Sequence, residues 1–194
     1  MRTIRGCLIA SLALASGGEP AAQNLVVNSQ FDSGSEPWIV SGTTTVPAQW
    51  QAEDCCGNPD SGSIIFGTVL SSRLRSDCMP VVAGNAYDFL IMLRLSHSVP
   101  SIPGQATISV EWLNSPACDS NAIASTDYPI NAMEYTNAWT RFGTRMTAPV
   151  EAAYARLSVS TSSGLSNFTT ARLDDVRFGP AGSVPVGLVS FSVD

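Results

Sequence analysis

The chain has 194 residues, enough for one domain with a sizeable core. Hydrophobic residues make up 44%, which excludes a disordered chain, while charged residues supply only 13%, roughly half the usual share. All ten basic residues are arginine, and the formal net charge of −6 argues against nucleic acid and anionic membranes as partners.

The N-terminus reads as a secretory signal over residues 1–22. Arg2 and Arg5 form a basic region ahead of the short apolar run from Cys7 to Ala15. That run is too short to span a bilayer, and no later stretch is apolar enough to do so. Loss of this segment removes Arg2, Arg5 and Glu19, so the mature chain is slightly more acidic. The expected localisation is extracellular.

A short strand is expected at Leu25–Val27, then a loop broken by Gly34 and Pro37. Further strands are expected at 38–40, 43–50, 63–69 and 71–79, with a polar loop from Gln51 to Ser61. Ala86 to Leu95 carries the clearest alternation: Tyr87, Phe89, Ile91, Leu93 and Leu95 share one face. Its other face is half apolar, as in a central strand. Residues 106–113 alternate again, Ile108, Val110 and Trp112 opposing Ser109 and Glu111. Residues 114–121 read as a loop around Cys118, and strands follow at 138–146, 153–160 and 170–178. No twelve-residue stretch keeps helical period without a breaker. Many short strands about ten residues apart predict an all-β sandwich at 23–179, with 180–194 as a tail or an extra strand.

The stretch Thr169–Phe178 organises this reading. Val176 and Phe178 mark a buried face, yet Asp174 and Asp175 interrupt the strand. Neighbouring strand residues point to opposite faces, so one carboxylate is driven inward or to an edge. A buried lone carboxylate is costly; a cation or backbone N–H groups would relieve it. An early segment of matching kind, Asn28–Gly34, carries Asp32. The first and last strands are therefore expected to lie close together.

Four cysteines remain after the signal segment, and an even count in an exported chain points to disulfides. Cys78 with Cys118 is the favoured pair. Cys55 and Cys56 form either a vicinal bridge or two free thiols. A lone histidine, His97, and the lack of a Gly-x-Ser-x-Gly elbow speak against a hydrolase.

The opening Asn28-Ser29-Gln30-Phe31-Asp32-Ser33-Gly34 resembles the N-x-x-F-E-x-G start of carbohydrate-binding modules of the family 4/9 type. Further pieces follow in the same order: Ser61-Gly62-Ser63, Asp77 to Tyr87, Trp139-Thr140-Arg141, Ala148-Pro149, Ala155-Arg156-Leu157 and Leu173-Asp174-Asp175-Val176. The resemblance covers residues 24–178 and departs from the pattern at Asp32, where Glu is usual, and at the Cys55-Cys56 pair. It implies a galactose-binding-like jelly roll of two antiparallel sheets, often with a structural calcium. Asp32, Asp174 and Asp175 are then the expected calcium ligands, since hard cations take oxygen.

It also implies glycan binding. Trp50, Tyr128 and Tyr135 are candidate stacking platforms, being at strand ends or in polar surroundings, with Gln51 and Glu53 nearby for sugar hydroxyls. The expected protein is a secreted, monomeric, non-catalytic module for extracellular polysaccharide. The alternative is a structural or adhesive surface domain contacting protein.

Overall fold

A computed structural model describes residues 23–43, 46–68, 71–97, 105–118, 121–131, 137–162 and 169–184. Residues 1–22, expected to be a signal segment, Tyr135 and the chain after residue 184 lie outside the described residues. Among those described there is no helix, hence none long and apolar enough to cross a membrane.

Among the described residues, eleven strands form two antiparallel sheets. In chain order they are β1 Ile39–Thr43, β2 Val46–Gln51, β3 Ser63–Thr68, β4 Ser71–Arg75, β5 Met79–Pro80 and β6 Ala86–His97, then β7 Gln105–Leu113, β8 Ala124–Asn131, β9 Thr140–Thr147, β10 Tyr154–Ser162 and β11 Thr169–Pro180. One sheet has the order β1-β4-β10-β7-β8, with β5 also pairing β10. The other has the order β2-β3-β11-β6-β9. The all-β sandwich expected from the alternation, in the jelly-roll form that the resemblance implies, is the fold.

Period two builds the core. Ile108, Val110 and Trp112 of β7 and Leu157 and Val159 of β10 face Phe89, Ile91 and Leu93 of β6 and Leu173, Val176 and Phe178 of β11. Trp112 meets Phe178 and Tyr87 across the sheets, with ring centroids 6.3 and 6.4 Å apart, and Tyr87 stacks on Phe178 at 5.2 Å. The Tyr87 hydroxyl accepts the Val82 N–H at 2.7 Å, so the buried ring keeps its polar end satisfied.

The two ends of the domain meet as expected. The Leu25 N–H donates to the Phe178 carbonyl at 2.7 Å, and the Val176 N–H to the Ser29 carbonyl at 2.8 Å. The Asn24 side chain accepts the Phe178 N–H and donates to the Val176 carbonyl. Residues 23–29 thus run beside β11 as a strap rather than as a strand of either sheet.

The strand expected at Leu25–Val27 is absent, and two further elements differ from the sequence reading. The stretch 71–79 is divided, because Ser76–Cys78 leave the sheet between β4 and β5. Strand β8 was not anticipated. Its sequence is polar and contains Pro129, which an edge strand tolerates because one row of its N–H groups faces away from the sheet. Its alternation is real: Thr126, Tyr128 and Ile130 turn toward the core, while Ser125, Asp127 and Pro129 turn outward.

Phe178 is fully buried at the meeting point of the two sheets and the strap. Phe178→Ala is expected to cost about 3–5 kcal/mol in urea-induced unfolding; a loss below about 1 kcal/mol would contradict this packing.

Candidate functional site

The outward face of the β1-β4-β10-β7-β8 sheet is polar and organised in cross-strand rows. Directly paired residues share a face. The pairings place Arg75, Ser158, Ser109 and Asp127 in one row. Arg73, Ser160 and Thr107 form the next, and Arg156, Glu111 and Ser125 a third. These rows line an open trough of about 640 Å³. A second depression of about 290 Å³ continues it over β4 and β1, sharing Arg73, Arg75 and Ser160 and reaching Ser41. No aromatic side chain lines either part among the described residues.

Glu111 is the hub. It is buried in the trough floor, where an unpaired carboxylate would be expensive. Arg156 closes on Oε2 through Nε at 2.8 Å and through a second guanidinium nitrogen. Oε1 receives Arg73 at 3.4 Å and the Ser158 hydroxyl at 3.2 Å, and Arg75 lies 3.8 Å away. Arg156 also donates to the carbonyl of Cys118. Cys118 is bonded to Cys78, so the loop after β7 is tied to the residue preceding β5. Asp127 accepts the Ser125 hydroxyl at 2.6 Å. The Ser125 and Ser109 hydroxyls hold its carboxyl below the ordinary range, against the effect of burial and with help from the Arg73 charge.

The residues singled out from the sequence lie elsewhere. Trp50 is the penultimate residue of β2 in the opposite sheet; its ring is partly exposed, and its Nε1–H donates to the Phe31 carbonyl at 2.6 Å. The ring covers Gly62, where a Cβ would lie 2.5 Å from it. Gln51 is the last residue of the same strand, and Glu53 bridges Arg94 and Arg172. Tyr128, on β8, turns inward against Phe89 at 5.8 Å between ring centroids. Trp50 and Tyr128 therefore stand on different sheets.

A second polar cluster sits where the strap, the loop after β2 and β11 meet. Asp174 and Asp54 bring carboxylate oxygens within 4.8 Å of each other and of the Cys55 sulfur, which is bonded to Cys56. Burial is the chief cause that pushes the Asp174 carboxyl up to about 7. The Cys55 and Asp175 N–H groups, at 2.8 and 2.6 Å, act against it, while Asp54 raises it by charge and by a shared proton. Asp54 shows the opposite balance. Burial disfavours its charge, but N–H groups of Asn58, Cys56 and Gly57 and the Ser61 hydroxyl hold it below its usual value. Asp175 is neutralised by a two-pronged contact from Arg177 at 2.7 and 3.0 Å. It occupies a β-bulge with φ +43°, which lets both adjacent carboxylates leave the core face. Asp32 is exposed and belongs to no metal-sized cluster among the described residues. The cluster's oxygens suit a hard cation; its disulfide sulfur does not.

No protein-family model and no curated protein matches the chain. Solved structures do. A family 61 carbohydrate-binding module complexed with β-1,4-galactotriose aligns over 81% of this chain and 99% of its own, at 14% identity and a TM-score of 0.54. The C-terminal family 22 module of Clostridium thermocellum Xyn10B aligns over 85% and 99%, with 14% identity and a TM-score of 0.55. The chain shares the β-sandwich fold of carbohydrate-binding modules. The enzymatically active domain of bacteriophage CBA120 tailspike protein 4 also matches, at 18% identity and a TM-score of 0.63, over 81% of this chain. This chain spans about a fifth of that tailspike domain, as the 21% coverage records. Families 4 and 16 appear among the neighbours too, so the likeness extends across several module families rather than to the 4/9 type alone.

The trough residues were within reach of sequence reasoning. Arg73 and Arg75 alternate with core-facing Leu74, and Glu111 with Val110 and Trp112. Charges repeating at period two on an outward sheet face were the available signal.

The Asp174 proton makes a pH prediction. The folded chain binds it more tightly than the unfolded chain, whose aspartate titrates near 3.8. Stability from this group is therefore complete below that value and is lost as pH rises through about 7. Urea unfolding in the absence of divalent cations should show a decline on the order of 2–4 kcal/mol between pH 4 and pH 8. Asp174→Asn should remove the decline, and Asp54→Asn should reduce it. A wild-type slope unchanged in Asp174→Asn would refute the assignment.

Proposed function

We propose that this domain is a secreted, non-catalytic carbohydrate-binding module that lays an extracellular polysaccharide across the outward face of the β1-β4-β10-β7-β8 sheet. The observation that carries the reading is the continuous trough over five adjacent strands, floored by hydroxyl and guanidinium groups. Sugar hydroxyls need donors and acceptors held at fixed positions, and a sheet face supplies them on a rigid lattice. The fold likeness to carbohydrate-binding modules is consistent with this use.

Hydrolysis finds no support in the trough. A glycosidase needs a carboxylic acid that holds a proton near neutrality opposite a second carboxylate. Asp127 is held in its charged form, and both Glu111 oxygens are engaged by arginine. The carboxyl that does retain a proton, Asp174, is buried on the opposite sheet.

Calcium belongs to the reading as a structural ion. Of the expected ligands only Asp174 lies in a cluster of suitable size, and Asp54 is its partner there. A cation binding this pair would replace the shared proton and stabilise the folded state by mass action. Calcium at pH 8 should then raise the melting temperature, a chelator should reverse the gain, and Asp174→Asn should abolish it. A melting curve indifferent to calcium, in protein first stripped of metal, would remove the ion from the account.

A polysaccharide array followed by calorimetric titration tests the function. Thr107 points outward in the middle of the trough, so Thr107→Met should fill the space, weaken binding at least tenfold and leave the melting temperature unchanged. Trp50→Ala, on the opposite sheet, should leave affinity within about twofold while costing about 1 kcal/mol of stability through its lost hydrogen bond. The reverse pattern would move the binding site to the β2 edge.

A further inference from the structure

We propose that the polysaccharide held in this trough is acidic, carrying uronate carboxylates or sulfate esters, and that Arg75 with Arg73 forms the subsite that grips the anion. The inference rests on the reading of the trough as the carbohydrate site.

It begins with an imbalance. Arg73, Arg75 and Arg156 converge on the trough, against Glu111 and Asp127. The local excess of positive charge stands out in a chain whose formal net charge is −6. The three cations are not equally satisfied. Arg156 spends its guanidinium on Glu111 and the Cys118 carbonyl and is buried. Arg73 divides itself between the Ser160 hydroxyl at 3.0 Å and Glu111, and its side chain is 43% exposed. The Arg75 side chain makes no hydrogen bond among the described residues. Its Nε is buried without a partner, its nearest carboxylate is 3.8 Å away, and its side chain is 32% exposed along the trough.

A partly desolvated guanidinium with unused N–H donors is an incomplete structure. Burial first, then the Arg156 and Arg73 charges, weaken its hold on its proton, against the pull of Glu111. Glu111 cannot complete the site, because its oxygens already serve Arg156, Arg73 and Ser158. A planar guanidinium fork matches the geometry of a carboxylate or sulfate through two parallel hydrogen bonds. A neutral sugar offers no such group and would leave the excess charge uncompensated. The described lining also lacks an aromatic platform for stacking on an uncharged ring. Long-range attraction does not explain affinity for polyanions here, since the chain as a whole is acidic.

Titration calorimetry with three oligosaccharides decides the matter: a polygalacturonate fragment, a sulfated galactan fragment and a neutral β-1,4-galactan fragment. At least one acidic ligand should bind about tenfold or more tightly than the neutral one, with affinity falling as salt rises. The two acidic ligands distinguish carboxylate from sulfate. Arg75→Gln should remove the preference without lowering the melting temperature, and Arg75→Lys should restore only part of it. Arg73→Gln gives a second reading should the Arg75 variants fold poorly. Neutral galactan binding as tightly as both acidic ligands would overturn the inference while leaving the carbohydrate site intact. Equal binding of polyglutamate would overturn it as well, by reducing recognition to charge. Failure of folded protein to bind any polysaccharide, on the array or in the calorimeter, would overturn the site reading and the inference with it.

Discussion

A carboxylate buried on the outside of a sheet is the constraint around which this molecule arranges its working face. Glu111 sits on β7, a central strand, and cannot reach water without leaving its row. It must be neutralised from the neighbouring strands: β10 provides Arg156 at the opposing register position, and β4 provides Arg75 one row away and Arg73 two rows away. Removing Arg156, the partner bonded directly to Glu111, would leave buried charge uncompensated, so the rows are held in place by electrostatics as well as by the ladder. The same contacts orient the trough. Arg156 carries the order outward to Cys118 and its disulfide, which keeps the loop after β7 at the rim.

The opposite sheet solves a related problem differently. Asp174 and Asp175 fall where β11 would otherwise continue an apolar face, and a β-bulge at this point turns them aside. Asp175 takes an arginine from its own strand, while Asp174 takes backbone N–H groups and shares a proton with Asp54. The strap, the vicinal cysteine pair and β11 all close on that point. The two sheets thus divide their labour: one packs the chain ends together, and the other presents an open polar surface.

Period-two alternation made the sandwich legible from the sequence, because each core-facing row is a run of large apolar residues separated by single positions. The meeting of the first and last segments was legible from two acidic stretches of matching kind, Asn28–Gly34 and Thr169–Phe178, and the Cys78–Cys118 bridge from an even cysteine count in a chain expected to be exported. Strand β8 was hidden because an edge strand needs only one apolar face and accepts proline. The trough was harder to see. Aromatic residues drew attention to Trp50 and Tyr128, yet the first clamps a loop and the second packs inward. What distinguishes the trough is a relation between strands, Arg75 beside Ser158 and Arg156 beside Glu111, and register between distant segments is not written in any one of them. The carboxylate partner of Asp174 was missed on the same ground: Asp54 is separated from it by most of the chain.

The most direct measurement is a proton–nitrogen NMR titration that follows arginine side-chain Nε–H signals as an acidic oligosaccharide is added. The account predicts that Arg75 and Arg73 shift first and furthest, together with backbone amides of Thr107 and Ser160, while the Trp50 indole signal stays in place. Shifts confined to Trp50 and the β2 edge, with the arginine signals of the trough unmoved, would contradict it.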